Sequence, residues 1–204
     1  MPRRRIALVG LGGAAVVAAL PGSARAAGIG RVQATVGTLR AVRGTGLVDL
    51  AVGDEVLIDD ILRTGAEGKA LIVCDSGLEI TLGPGTELVV RRFAVDGSGR
   101  LAALFGLLHG IARLLGKLVA GSAVDINTRT AVASVRATEW LVESTDKGTA
   151  VLALSGVVAV RGLAGGAVVV RPGEGTDVPP GGEPKVPARW GEQRRRDAVA
   201  RTTI

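Results

Sequence analysis

The side chains of this 204-residue chain that could do chemistry are few and sparsely spaced. There is one histidine, His109, and one cysteine, Cys74, so no zinc site of the ordinary His/Cys type can be assembled. A serine or cysteine nucleophile would have to share His109 as its base, and no G-x-S-x-G turn is present. His109 lies in an apolar segment, where a core histidine is expected before a ligand or a base. Cys74 ends the run ALIVC, where a buried and unreactive thiol is the default. Two carboxylate pairs, Asp59 with Asp60 and Glu139 with Glu143, have the residue types that glycoside hydrolysis uses. Sugar sites also call for aromatic platforms, and the chain has two Phe, two Trp and no Tyr. No catalytic, cofactor-binding or metal-binding residue is therefore assigned, no cofactor is expected, and the chain is read as a non-enzyme.

Glycines give the other chemical possibility. Phosphate loops place their glycines before a helix, whose free N–H groups and dipole hold the anion. In the stretch from Asp60 to Leu88 each glycine is followed by a short alternating run, ALIVC, LEITL or ELVV. That is the period-2 signature of half-buried strands, so these glycines read as turns.

Similar runs fill most of the chain. RVQATV, GTLRAV, DEVLI, AVDIN, AVASVRA, EWLVE, TAVLAL, VVAV and AVVVR are further strand candidates, separated by Gly or Asp-Gly at roughly the eight-to-twelve-residue spacing of all-β folds. With 47% apolar residues the chain can bury one sizeable core, built almost entirely from Ala, Val and Leu. The expected fold is all-β: a single roll, sandwich or solenoid-like domain of many short strands. LAALFGLLHGIARLLGKLVAG, from Leu101 to Gly121, leaves two readings open. Leu101, Leu104, Phe105, Leu108, Ala112 and Leu115 have helical spacing, whereas Gly106, Gly110 and Gly116 each weaken a helix by about 1 kcal/mol and leave a buried hairpin equally open.

The two ends have their own character. Residues 1–26, MPRRRIALVGLGGAAVVAALPGSARA, have three arginines, an apolar run of fifteen residues from Ile6 to Leu20, and a small-x-small Ala24-Arg25-Ala26. This reads as a signal peptide cleaved after Ala26, and the run is short for a bilayer core that takes roughly twenty helical residues. Export to the periplasm is expected, by the Sec route before the twin-arginine route that Arg3-Arg4-Arg5-Ile6 loosely fits. No permanent membrane span is expected. At the other end, RPGEGTDVPPGGEPKVPARW holds five of the eight prolines, so residues 179–204 are read as a Pro/Gly-rich linker and a basic tail beyond a domain spanning 27–178. The tail is read either as solvated or as a short helical segment with Trp190 docked on the body.

Removing residues 1–26 takes the net charge from +6 to +2, with 21 basic and 19 acidic residues left. The C-terminal tail carries +3 of that, and a body without strong charge or aromatic platforms excludes a nucleic-acid binder.

Val52-Gly53-Asp54, IDDILRTG from Ile58 to Gly65, a strand into Asp75 and ITLGPGTEL from Ile80 to Leu88 follow one another as in the FecR-like domain family. LLHGIARLLGKL, VDINTRTAVASVRATEWLVE and VLALSGVVAV resemble that family's later blocks, so the resemblance runs from about Gly30 to Val178. Its most specific piece is VRATEW, similar to the family's V-R-G-T-E-F, with Ala137 in place of Gly and Trp140 in place of Phe. The resemblance implies an all-β periplasmic domain without catalysis and favours strands over residues 101–118. Family members named for iron transport carry signals from an outer-membrane transporter to a sigma factor. This chain looks more like the stand-alone secreted members. It is expected to be a periplasmic module that binds an envelope protein or a polysaccharide; a membrane-anchored regulatory sensor is the alternative. Arg136, Thr138, Glu139 and Trp140 are the candidate structural or binding residues, with Arg136 and Glu139 placed to pair at a strand corner while Trp140 fills the core.

Overall fold

A computed structural model describes residues 27–135 and 138–204. The expected signal peptide over 1–26 and Arg136 lie outside the described residues. The described chain forms seventeen strands and one helix. The first eight are β1 (Gly28–Val36), β2 (Leu39–Arg43), β3 (Gly46–Asp49), β4 (Glu55–Leu57), β5 (Ile61–Thr64), β6 (Lys69–Cys74), β7 (Glu79–Leu82) and β8 (Glu87–Val95). The long β9 (Leu101–Gly116) is followed by β10 (Ala123–Asn127), β11 (Ala131–Val135), β12 (Thr138–Thr145), β13 (Gly148–Ser155), β14 (Val158–Gly162) and β15 (Gly165–Val170). β16 (Glu174–Val178), β17 (Ala188–Arg189) and α1 (Glu192–Arg201) complete the chain.

These strands make two sheets that share β9. The front sheet runs β4-β1-β6-β7-β9-β12-β13-β16-β17. The back sheet runs β3-β2-β5-β8-β9-β10-β11-β14-β15. Neighbours are antiparallel throughout, apart from the parallel pair β9 and β10. The chain shuttles between the layers one or two strands at a time, which is the all-β, solenoid-like roll that the short alternating runs imply.

Alternation puts one side chain in two between the layers. Ile72, Ile80, Leu82, Leu114, Trp140 and Val151 from the front sheet meet Leu62, Leu88, Phe105, Leu107, Ile126 and Val160 from the back sheet, all at most 1% exposed. Each such large side chain contributes about 1.5–3 kcal/mol by leaving water.

The glycines of LRTG and LGPGTEL are corners. The Gly65 N–H donates to the Thr38 carbonyl at 3.0 Å and the Gly85 N–H donates to the Gly65 carbonyl at 2.8 Å, so successive turns stack along one side of the roll. The Thr64 hydroxyl donates to the Gly83 carbonyl at 2.7 Å and accepts the Thr86 N–H at 2.8 Å, which satisfies polar groups that the corner buries.

β9 settles the segment that periodicity left open. Leu101, Ala103, Phe105 and Leu107 face the core on the back sheet, and Ala112 and Leu114 face it on the front sheet, so the alternation shifts by one residue on crossing. The crossing is at Gly110, with φ +90°. A side chain there would sit 2.5 Å from the Thr86 Cα, a contact only glycine avoids. Thr86 closes the joint by accepting the Ile111 N–H at 3.0 Å and donating to its carbonyl at 3.1 Å.

The C-terminal segment docks on the front sheet. Ile111, Leu141 and Leu152 face outward there and are at most 2% exposed because Ala198 of α1 covers them. Arg201 binds the Glu143 carboxylate through two nitrogens at 2.6 and 3.1 Å, which raises the guanidinium pKa. Lys69 donates to the carbonyls of Ala200 and Thr203 at 2.8 and 2.7 Å, where a cation offsets the helix dipole. The Trp190 ring lies against Gly175, with the Arg194 guanidinium 3.7 Å above it. Of the two readings of the tail, the docked helix is the observed one.

Candidate functional site

Val135 of the VRATEW block ends β11, and its Thr138, Glu139 and Trp140 begin β12. The Thr138 backbone pairs with Gly116 of β9. Glu139 points outward, its N–H donating to the Ser155 hydroxyl at 3.1 Å, and its carboxylate accepts the Arg113 guanidinium from β9. Arg113 reaches it because Arg113 faces Leu141, two residues along β12, so the two side chains are diagonal neighbours on one face. Trp140 points the opposite way and is 1% exposed in the core. Glu139 and Trp140 thus tie the outer surface to the core at one strand end. Glu139 is half-buried, and its charge is met.

Neither carboxylate pair forms a hydrolytic site. Glu139 and Glu143 share a face of β12 four residues apart, which is about 13 Å along a strand, beyond the roughly 5–9.5 Å that glycoside hydrolysis requires. Each is already held by its own arginine, Arg113 or Arg201. Asp60 is 1% exposed and accepts Arg43 Nε and Nη2 at 2.8 and 2.9 Å and the Leu57 N–H at 2.9 Å. The same guanidinium donates to the Glu55 carbonyl at 2.6 Å, and its pKa is raised, chiefly by Asp60. Asp59 makes the turn, at φ +69°. This carboxylate anchors a corner of the roll.

Cys74 is buried, and burial, with Asp75 second, pushes its thiol up to about 12, far from a nucleophile's range. His109 departs from the core reading and is exposed, because it precedes Gly110 at the crossing, where the side-chain phase changes. It lines a cleft of about 580 Å³ together with Glu143, Asp146, Lys147, Lys185 and Arg194. Asp146 is bound by Arg129 at 2.7 Å, which holds its carboxyl below the usual range, and Arg194 is bound to Asp177. The cleft joins the β12–β13 turn to the C-terminal segment, and the sequence signals it only through the turn Asp146-Lys147-Gly148. Among the described residues no group of three or more His, Cys, Asp or Glu is placed to hold a metal ion. No helix there is long and apolar enough to cross a membrane.

Sheet edges are the other surface with unused bonding capacity. All four residues of β3 are exposed, with Leu47 at 57% and Val48 at 38%. At the opposite end of the back sheet, among the described residues, β15 pairs only with β14. The front sheet ends instead in strands of three and two residues, β4 and β17, a common way of blunting an edge.

The sequence profile of the family described as FecR protein matches residues 60–159, from the buried Asp60 to the outer face of β14. No curated protein matches the chain. Two crystal structures of a candidate anti-sigma factor from Parabacteroides distasonis share its fold. One is 18% identical, with 67% of this chain and 63% of that one covered and a TM-score of 0.57. The other is 18% identical, with 67% and 62% covered and a TM-score of 0.55. The chain therefore spans a little under two thirds of the length of these structures. Asp60, the glycine corners, the crossing strand and the Glu139–Trp140 block all fall inside the matched residues, so the stretch from 60 to 159 carries a FecR domain match.

Proposed function

We propose that the chain is a non-catalytic interaction module of the bacterial cell envelope, with a regulatory role, that works by holding a protein partner. The observation that carries this reading is the exposed β3 edge, where Leu47 and Val48 flank an open strand. An extended segment of a partner can add a strand there, with main-chain hydrogen bonds giving affinity and the two side chains giving selectivity. A protein partner suits the surface better than a polysaccharide, because Trp140 is in the core and Trp190 is covered by Arg194. Arg43, Arg113 and Arg201 are committed to carboxylates, which supports a scaffold without catalysis. The basic, apolar and small-x-small order of residues 1–26 supports periplasmic delivery.

A photocrosslinking residue at Val48, in cells exporting the protein, tests this. An adduct with an envelope protein, absent when Leu47→Lys is added, is expected. Equal adducts at Val48 and at Ala102 on the sheet face would overturn the reading. Likeness to a candidate anti-sigma factor favours a second reading, a membrane-anchored regulatory sensor. Intact mass separates the two: a mass starting at Ala27 in the periplasmic fraction supports the free module, and a full-length mass in the membrane fraction supports the sensor.

A further inference from the structure

The far edge of the back sheet raises a separate question. β15, Gly165-Gly166-Ala167-Val168-Val169-Val170, has no charge and no proline, the devices that normally keep an edge strand from pairing. Val168 faces the core side yet is only partly buried, and Val169 on the other face is 48% exposed. The strand is bounded by opposite charges. The exposed Glu183 places its carboxylate oxygens 3.2 and 3.0 Å from where side chains on Gly165 and Gly166 would begin, and the exposed Arg171 follows Val170. Among the described residues neither the Glu183 carboxylate nor the Arg171 guanidinium has an ion-pair partner.

We propose that β15 is a self-association edge, at which a second copy of this chain pairs antiparallel about a twofold axis through Val168. This goes beyond the reading of β3 and does not depend on it. In that register Ala167 faces Val169 and Gly166 faces Val170, so valine and alanine meet across the joint. Like charges directly opposite would disfavour pairing, and β15 has none. Gly165 of one copy faces Arg171 of the other, which brings that guanidinium to the Glu183 carboxylate, twice by symmetry. A strand flanked by an anion at its start and a cation at its end is complementary to its own reverse, and this selects a second copy over an unrelated peptide. The back sheets would become one continuous sheet, with a β3 edge at each end.

Light scattering of the full chain, with charge-reversal variants, tests this. The wild type is expected at twice the chain mass. Arg171→Glu or Glu183→Arg alone should give monomers, and the two together should restore the dimer. Both residues are exposed, so circular dichroism should confirm unchanged folding. Val168→Cys should crosslink to itself under mild oxidation, because directly opposed antiparallel residues have Cα atoms about 4.5–5.5 Å apart, inside disulfide range. Buried Cys74 should stay silent, and Val157→Cys should not crosslink. A monomer at every concentration overturns the proposal, as does a dimer that survives both single reversals while Val168→Cys stays uncrosslinked.

Discussion

The Arg43 guanidinium grips the Asp60 carboxylate with two parallel hydrogen bonds of 2.8 and 2.9 Å, at a carboxylate that water barely reaches. Removing one partner of such a pair strands the other, which typically costs about 3–5 kcal/mol. Asp60→Ala should lose stability of that order in denaturant unfolding, and Arg43→Met somewhat less, since the guanidinium side is 30% exposed. The double variant should fall well short of the sum of the two.

Trp140 is the largest buried side chain, and truncation to alanine should cost about 3–5 kcal/mol. Trp140→Phe keeps an aromatic ring at a position where the resembled motif has Phe, and should cost much less. A melting-temperature comparison of the two variants checks this. Comparable losses would show that the pocket needs the indole itself.

Gly110→Ala tests the crossing strand. Its φ of +90° and the 2.5 Å approach to the Thr86 Cα predict a loss of about 1–3 kcal/mol or more, because the obstructing atom is backbone. Gly53→Ala, also at positive φ but with open space around it, should cost less.

Ala198→Asp would bury a carboxylate among Ile111, Leu141 and Leu152. The helix should detach while the roll stays folded. Amide exchange over residues 192–201 should speed up many-fold, with protection in β12 and β13 retained at their core-facing positions.

The β8–β9 turn should respond to acid. Asp96 accepts the Ser98 hydroxyl at 2.6 Å, the Ser98 and Arg100 N–H groups at 2.8 and 3.0 Å, and Arg100 Nε at 2.9 Å. These contacts, the Ser98 hydroxyl first, hold its carboxyl well below the usual range. A carboxyl with a lowered folded pKa stabilises the fold fully above its unfolded value of about 4, and loses that contribution as pH falls toward the folded value. Amide exchange at Ser98 and Arg100 should therefore accelerate below about pH 4, and Asp96→Asn should remove most of that dependence.

The strands were legible wherever alternation and turn residues coincided, as in ALIVC and LEITL, and these became β6 and β7. β3, whose four residues are all exposed, and β16, with the polar run EGTDV, carry no such alternation and escaped it. Residues 101–116 stayed open to two readings for a physical reason. The alternation slips by one residue at Gly110, so core-facing Phe105 and Ala112 and outward Leu108 and Leu115 together mimic a helical stripe. Trp140 was legible as a core residue. The partners of Glu139 and Asp60 were not, because Arg113 and Arg43 are brought to them by strand register, which one sequence does not display.

Among the described residues, no backbone ladder joins β1–β8 to β10–β17 except through β9. The two halves are therefore not separable lobes. β9 must bond β7 and β8 on one flank and β10 and β12 on the other, so its docking joins the ladders of both halves at once. A chain with this wiring should fold slowly for its size and unfold in a single step. A nick in the loop before Leu101 would leave each fragment without its closing strand or without its partners, unable to hold its shape alone.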